Sequence, residues 1–279
     1  MPESAARAEI RRAMVAAAEA DPRIVGLLDY GSGGEGRADE WSDLDLEVFI
    51  RDADLTAFEQ EWKGWAARFG RLLLAYRGWV GHPWMVFDTA PVPLRVDLDL
   101  HAESTIEGAE RWLSNPASVE AMLLYDGTGG QLRDVVASIV GRSRRPEDER
   151  AAFEQVAGDF WYYLLYVHAK QRRGTYLIAR AVYGSEVFTH LLNLLRLEAG
   201  ATERWRYSAA GTDLDGALPP PRRAALDRCI PGPATTEIDR AMREAAALGR
   251  EVCAAIAARG GWPWTEELAG RVIALLGEE

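Results

Sequence analysis

The sequence predicts an α+β protein, with a mixed-sheet domain over residues 1–143 followed by an α-helical bundle domain over residues 144–279. Three observations predict it. Two segments, Asp43–Ile50 and Arg95–Leu100, alternate carboxylates with apolar side chains at the period of a strand. Beyond the stretch Gly141–Pro146 the apolar residues recur at helical spacing instead. The charge balance changes at the same place: residues 1–140 hold 13 basic and 24 acidic side chains, and residues 141–279 hold 19 of each.

The elements follow in order. Residues 4–20 are rich in helix formers, carry Ile10, Met14 and Val15 at helical spacing, and stop at Asp21-Pro22. Arg23–Tyr30 is a short apolar run that ends at a glycine-rich loop, which marks a buried strand. Asp43–Ile50 is the second strand, with Asp43, Asp45 and Glu47 on one face. A helix over 54–69 and strands at Arg71–Tyr76, Trp84–Phe87, Pro93–Leu100 and Val119–Tyr125 come next, then a helix from about Gln131 to Val140. Two long helical stretches, 147–172 and 176–199, open the second domain. A Pro/Gly-rich break at 208–221 separates them from helices near 221–229, 234–258 and 264–277.

Composition narrows the function. The chain has 279 residues and a formal net charge of −11, so its first half would repel a nucleic acid. There is no apolar run near 18 residues and no apolar leader at the N-terminus, so neither a membrane span nor a secretory signal is expected, and the expected location is the cytoplasm. Cys229 and Cys253 are too few for a disulfide framework. Of the 32 basic residues only Lys63 and Lys170 are lysine. In so arginine-rich a chain, a retained lysine is a candidate for a task that needs a compact ammonium.

The chemistry concentrates in the two acidic strands. Alternate residues on a strand are about 6.6 Å apart at Cα and point the same way, so Asp43-x-Asp45 and Asp97-x-Asp99 can each grip a hard dication. Three such carboxylates from neighbouring strands suffice for a two-metal centre. An acidic sheet face turned to solvent accounts for the same alternation. The loop before them, Gly31-Ser-Gly-Gly-Glu-Gly36, fits G-x-G-x-x-G, yet only six residues separate Gly36 from Asp43, too few for a βαβ crossover. No G-x-x-x-x-G-K-[ST] is present. The remaining reading is a tight turn at Gly31-Ser32 whose N–H groups and hydroxyl cradle a phosphate.

Gly31-Ser32, Ser42-Asp-Leu-Asp-Leu46 and Val96-Asp-Leu98 together resemble the motifs of the polymerase-β-like nucleotidyltransferases. The stretch Asp159–Gly174, with Ala179-Arg-Ala and Leu191–Leu197 beyond it, is similar to the helical domain of the streptomycin 6-adenylyltransferase and lincosamide nucleotidyltransferase groups. The resemblance spans roughly residues 20–200. The segment between Ser32 and Asp43 is a residue longer than the pattern.

The resemblance implies that 1–143 is the catalytic domain and 144–279 the substrate-binding one, with the site in a cleft between them. It also implies transfer of a nucleoside monophosphate, AMP from ATP, to a hydroxyl of an aminoglycoside-like small molecule. A lincosamide acceptor, or a protein-modifying or toxin-neutralising module, is the alternative. Asp43, Asp45 and Asp97 would be catalytic and would bind Mg²⁺, two ions in all, with Asp97 also the candidate general base. Gly31, Ser32 and Lys170 would hold the nucleotide.

Several assignments stay open on the residues alone. Asp99 shares a face with Asp97 and competes with it, or lies on the acceptor side. Asp159, read as a helix-start acid, is a second acceptor-side candidate. Lys170 fits a surface lysine whose stem covers apolar area equally well. Trp161, Tyr162, Tyr163 and Tyr166 suit a helical core as well as a stacking platform. Glu47 has no assigned task beyond structural support. His82, His101, His168 and His190 show no metal-ligand spacing along the chain.

Overall fold

A computed structural model describes residues 3–112, 115–142, 145–203, 205, 211, 214–235 and 237–277. The chain divides into two compact units, Met1–Ser143 and Arg144–Glu279.

The first unit begins with helix α1 (Ala5–Ala20), capped by the Ser4 hydroxyl, which accepts from the Arg7 N–H at 3.1 Å. Its apolar stripe of Ile10, Met14 and Ala18 is buried. Strand β1 (Ile24–Tyr30) runs into a single helical turn, α2 (Gly31–Gly34), and β2 (Leu44–Ile50) follows. Helix α3 (Leu55–Ala66) then leads to β3 (Leu72–Arg77), β4 (Pro83–Phe87) and β5 (Leu94–Ala102). A 3₁₀ segment (Glu103–Arg111), the single turn α4 (Val119–Met122), β6 (Leu123–Asp126) and α5 (Gln131–Ile139) complete the unit.

The six strands form one sheet in the order β3-β4-β5-β2-β1-β6. Strands β2 and β5 are parallel, and the other described pairs are antiparallel. Because β1 and β2 are antiparallel neighbours, the glycine turn between them is no dinucleotide crossover, in line with the short spacing. Both faces of the sheet are covered. Leu44, Leu46, Val48, Val96 and Leu98 pack with α1 and α3 on one side. Leu28, Phe49, Met122, Leu132 and Val136 pack on the other. This second layer covers only part of its face, and the acidic residues of β2 and β5 occupy the same face. One sequence expectation is corrected here: Val119–Tyr125, read as a strand, begins as a helical turn. Ser118 caps that turn by accepting from the Ala121 N–H at 3.1 Å, so capping overrides the apolar run.

The second unit is helical. Its described elements are α6 (Glu149–Arg172), α7 (Tyr176–Val182), a π-helical segment (Tyr183–Val187), α8 (Phe188–Ala199), α9 (Leu214–Ala217), α10 (Pro220–Arg228), α11 (Glu237–Gly260) and α12 (Glu266–Gly277). Phe153, Phe160, Trp161, Leu164, Leu191, Leu195, Met242, Val252 and Ile256 form its core. The π segment holds Tyr183 so that its hydroxyl donates to the Cys229 carbonyl at 2.5 Å, a buried link from this segment to the end of α10. Of the Pro/Gly-rich break expected at 208–221, residues 208–210, 212 and 213 lie outside the described residues, and the rest includes α9 and the start of α10. Among those residues, no helix is long and apolar enough to cross a membrane.

Candidate active site

The parallel register of β2 and β5 decides which carboxylates meet. Asp45 stands opposite Asp97, and Glu47 stands opposite Asp99. On the flanking strands Tyr30 pairs with Asp45 and Trp84 with Asp97, so the four residues form one row across the sheet. Asp43, just before β2, holds the exposed Arg95 through a 2.6 Å ion pair.

Packing these acids together without a cation raises their cost. Burial pushes the Asp45 carboxyl up to about 7, and Asp43, Asp97, Asp29 and Glu47 add to the shift. Burial and Asp43 also raise Asp97, against the pull of Arg95 and His82. Asp45 itself forms no ion pair with a basic side chain among the described residues, and a buried carboxyl that retains its proton beside other carboxylates marks a site suited to receive positive charge.

The glycine turn fits tightly against these acids. Gly31 has a φ of +68°, and a Cβ there would overlap the Asp45 carboxylate. A Cβ on Gly33 would overlap the Asp29 carboxylate in the same way. The Ser32 Oγ between them is buried and has no hydrogen-bond partner among the described residues. A phosphate oxygen satisfies such a hydroxyl, and the residues present therefore fit a nucleotide held beside Asp43, Asp45 and Asp97.

Asp29 and Arg7 position both halves of this site from beneath. Arg7 of α1 is buried; its Nη2 donates to both Asp29 oxygens at 3.2 Å and its Nε to the Asp43 carbonyl at 2.8 Å. Burial raises the Asp29 carboxyl, while Arg7 and Arg11 pull it down. One guanidinium thereby ties the last turn of β1, against which Gly33 packs, to the start of the Asp43-x-Asp45 motif. No local pattern marks this role, because Arg7 lies among other charged residues of α1.

A cavity of about 400 Å³ opens beside Asp45 and Asp97. Tyr30, Trp84 and Trp112 form aromatic walls, and Glu47, Asp99 and His101 lie further along the same face. In the sequence His101 shows no metal-ligand spacing, and its strand was expected to end at Leu100. The strand continues to Ala102, and the alternation Arg95, Asp97, Asp99, His101 runs unbroken on one face.

Four of the expected residues, Asp159, Trp161, Tyr162 and Lys170, lie on α6 of the second unit. Asp159 is an interior residue of α6, whose N-terminus is capped by Asp148 accepting from the Ala151 N–H at 3.0 Å; the reading as a helix-start acid is corrected. Lys170 is near the end of α6 with its Nζ 4.9 Å from the centre of the Tyr166 ring. Trp161 is fully buried in the helical core, whereas Tyr162 is exposed.

An acidic sheet face beside a close-fitting glycine turn, on a mixed sheet followed by a helical unit, fits the nucleotidyltransferase class. Residues 5–278 match the sequence model of the streptomycin adenylyltransferase family, and the chain belongs to that family. No curated protein sequence matches it. Among solved structures it is similar to an aminoglycoside 6-adenyltransferase from Bacillus subtilis, at 14% identity and a TM-score of 0.45 over 98% of this chain and 97% of that one. It is also similar to a nucleotidyltransferase-like protein from Exiguobacterium sibiricum 255-15, at 17% identity and a TM-score of 0.37 over 96% and 87%.

Proposed function

We propose that the chain transfers AMP from ATP to a hydroxyl of a small cationic acceptor of the aminoglycoside type and releases pyrophosphate. The single observation that carries this is the pairing of Asp45 with Asp97 directly against the Gly31-Ser32 turn. Family membership supports adenylyl transfer, and the family's description favours streptomycin as the first acceptor to test.

In this reading Asp43, Asp45 and Asp97 hold Mg²⁺, two ions in all. When bound, the metal neutralises triphosphate charge and acidifies the acceptor hydroxyl. The Ser32 hydroxyl and the N–H groups of the turn donate to the terminal phosphates. Lys170 supplies a further positive charge to the triphosphate. Asp97 accepts the proton of the attacking hydroxyl as the new oxygen–phosphorus bond forms and the bond to pyrophosphate breaks.

The cavity beside Asp97 supports an acceptor that is both polyhydroxylated and positively charged. Indole and phenol faces pack against the C–H surface of a sugar ring, and Glu47 and Asp99 attract its ammonium or guanidinium groups. Asp159 is proposed as a further acceptor contact.

The test is pyrophosphate release from each of the four common nucleoside triphosphates, with Mg²⁺, across a panel of aminoglycosides and lincosamides. Release that requires ATP and an aminoglycoside supports the proposal. Release that requires only a lincosamide, or label transferred to protein instead of the small molecule, overturns it.

A further inference from the structure

Deeper in the same face lies a second group of donors, outside the three carboxylates assigned to Mg²⁺. Glu47, Asp99 and His101 each offer one ligand atom, and the three atoms lie within 4.8 Å of one another. From these residues we infer a binding site for a first-row transition-metal dication of the zinc class, distinct from the Asp43–Asp45–Asp97 carboxylates.

The strand geometry brings the donors together. Glu47 and Asp99 are register partners, and His101 is the next residue of β5 on the same face, diagonal to Glu47. The His101 Nε2 is 2.5 Å from a Glu47 oxygen and 3.7 Å from an Asp99 oxygen. Donors bound tetrahedrally at about 2.0–2.2 Å from zinc are about 3.4 Å apart, so the Asp99 separation is already close and Glu47 needs to retreat by about 1 Å. His82, on the loop before β4, places its Nδ1 3.5 Å from the same Asp99 oxygen and offers a fourth donor from the cavity side.

The imidazole is held for this task. The His101 ring stacks on Phe49, with centroids 5.1 Å apart, and lies 5.2 Å from Trp112, so two aromatic surfaces fix its orientation. Neither Glu47 nor Asp99 forms an ion pair with lysine or arginine among the described residues. Their charge is met by histidine alone. Magnesium prefers an all-oxygen shell and several waters, whereas one or two imidazoles with two carboxylates suit zinc and its neighbours. The sequence concealed this site because Glu47 and His82 come from other segments and meet Asp99-x-His101 only through the sheet.

The site shares Glu47 and Asp99 with the acceptor contacts proposed above but rests on their geometry alone, and its test needs neither nucleotide nor acceptor. Zinc binding to the purified full-length chain is measured at neutral pH by competition with a chromophoric chelator, with a large excess of Mg²⁺ present, and cobalt(II) serves as a visible-absorption probe. We expect one zinc per chain and a cobalt spectrum of low coordination number. His101→Ala is expected to weaken zinc binding by at least about 10²-fold, and Asp45→Asn to leave it within a few-fold. Asp99→Asn, nearly isosteric and facing the cavity, repeats the test should His101→Ala fail to fold. Absence of zinc binding by the wild type, displacement by Mg²⁺, or loss in Asp45→Asn with retention in Asp99→Asn would overturn the inference. Each of those results leaves the Mg²⁺-supported pyrophosphate assay unaffected.

Discussion

Arg7 Nε donates to the Asp43 carbonyl at 2.8 Å while the same guanidinium pairs with the buried Asp29. Removing one partner of such a pair strands a buried charge, at a cost of about 3–5 kcal/mol. Arg7→Met is therefore expected to lower the unfolding free energy by that order. Adding Asp29→Asn should recover part of the loss, since the stranded carboxylate is gone. Denaturant unfolding of the two single variants and the double variant measures this coupling; strictly additive losses would count against it.

The glycine turn gives a second expectation. Gly31→Ala places a methyl group where the Asp45 carboxylate sits and forces alanine into a left-handed conformation worth about 1–2 kcal/mol against it. Both effects bear on nucleotide binding. KM for ATP should rise at least about tenfold in a variant that remains folded, and an unchanged KM would remove the turn from the site.

Asp45 makes stability depend on pH in a defined direction. Its folded-state pKa of about 7 exceeds the unfolded value near 3.8, so between these pH values the folded state binds more protons. Its contribution is most favourable below about pH 4 and is lost as pH rises through 7. Two unit charges about 5 Å apart at an effective dielectric near 20 repel by about 3 kcal/mol, which sets the scale of the cost. At pH 8 and without metal, Asp45→Asn should melt at or above the wild-type temperature, while gaining much less from Mg²⁺ and ATP. Thermal unfolding of both proteins at pH 5 and pH 8 checks it. A destabilised variant at pH 8 with a full ligand shift would show Asp45 to be structural.

The carboxylates differ in the work assigned to them. Asp97, opposite Asp45, should lose at least about 10²-fold in kcat on replacement by Asn. Asp99→Asn should cost less in kcat and more in KM for the acceptor. Steady-state kinetics on the two variants decides between them, and equal or reversed losses in kcat would reassign the base.

Lys170→Met keeps the apolar stem and removes the ammonium. A higher KM for ATP in a protein with an unchanged melting temperature is expected; unchanged KM and kcat would leave Lys170 with only its place beside Tyr166.

What could be read in advance follows from the range of the forces involved. Strand alternation is a local property, so the carboxylates of each acidic strand, and the sheet and helical portions, were legible from the sequence. Register is not local. That Asp45 meets Asp97 and Glu47 meets Asp99 depends on how β2 and β5 align, and the chain between them does not encode that visibly. His101 shows no metal-ligand spacing along the chain and reaches Glu47 only through that register, and the burial of a helical arginine such as Arg7 is set by the carboxylate it meets after folding. Asp159 falls inside the helical stretch expected over 147–172, whose first turn is set by the capping Asp148.

The most direct test of the central claim is the mass of the acceptor itself. Streptomycin incubated with ATP, Mg²⁺ and the wild-type chain is expected to gain one adenylyl group, and with Asp97→Asn to remain essentially unmodified over the same interval. Unmodified streptomycin and unmodified related aminoglycosides with the wild-type chain, or equal modification by Asp97→Asn, would contradict it.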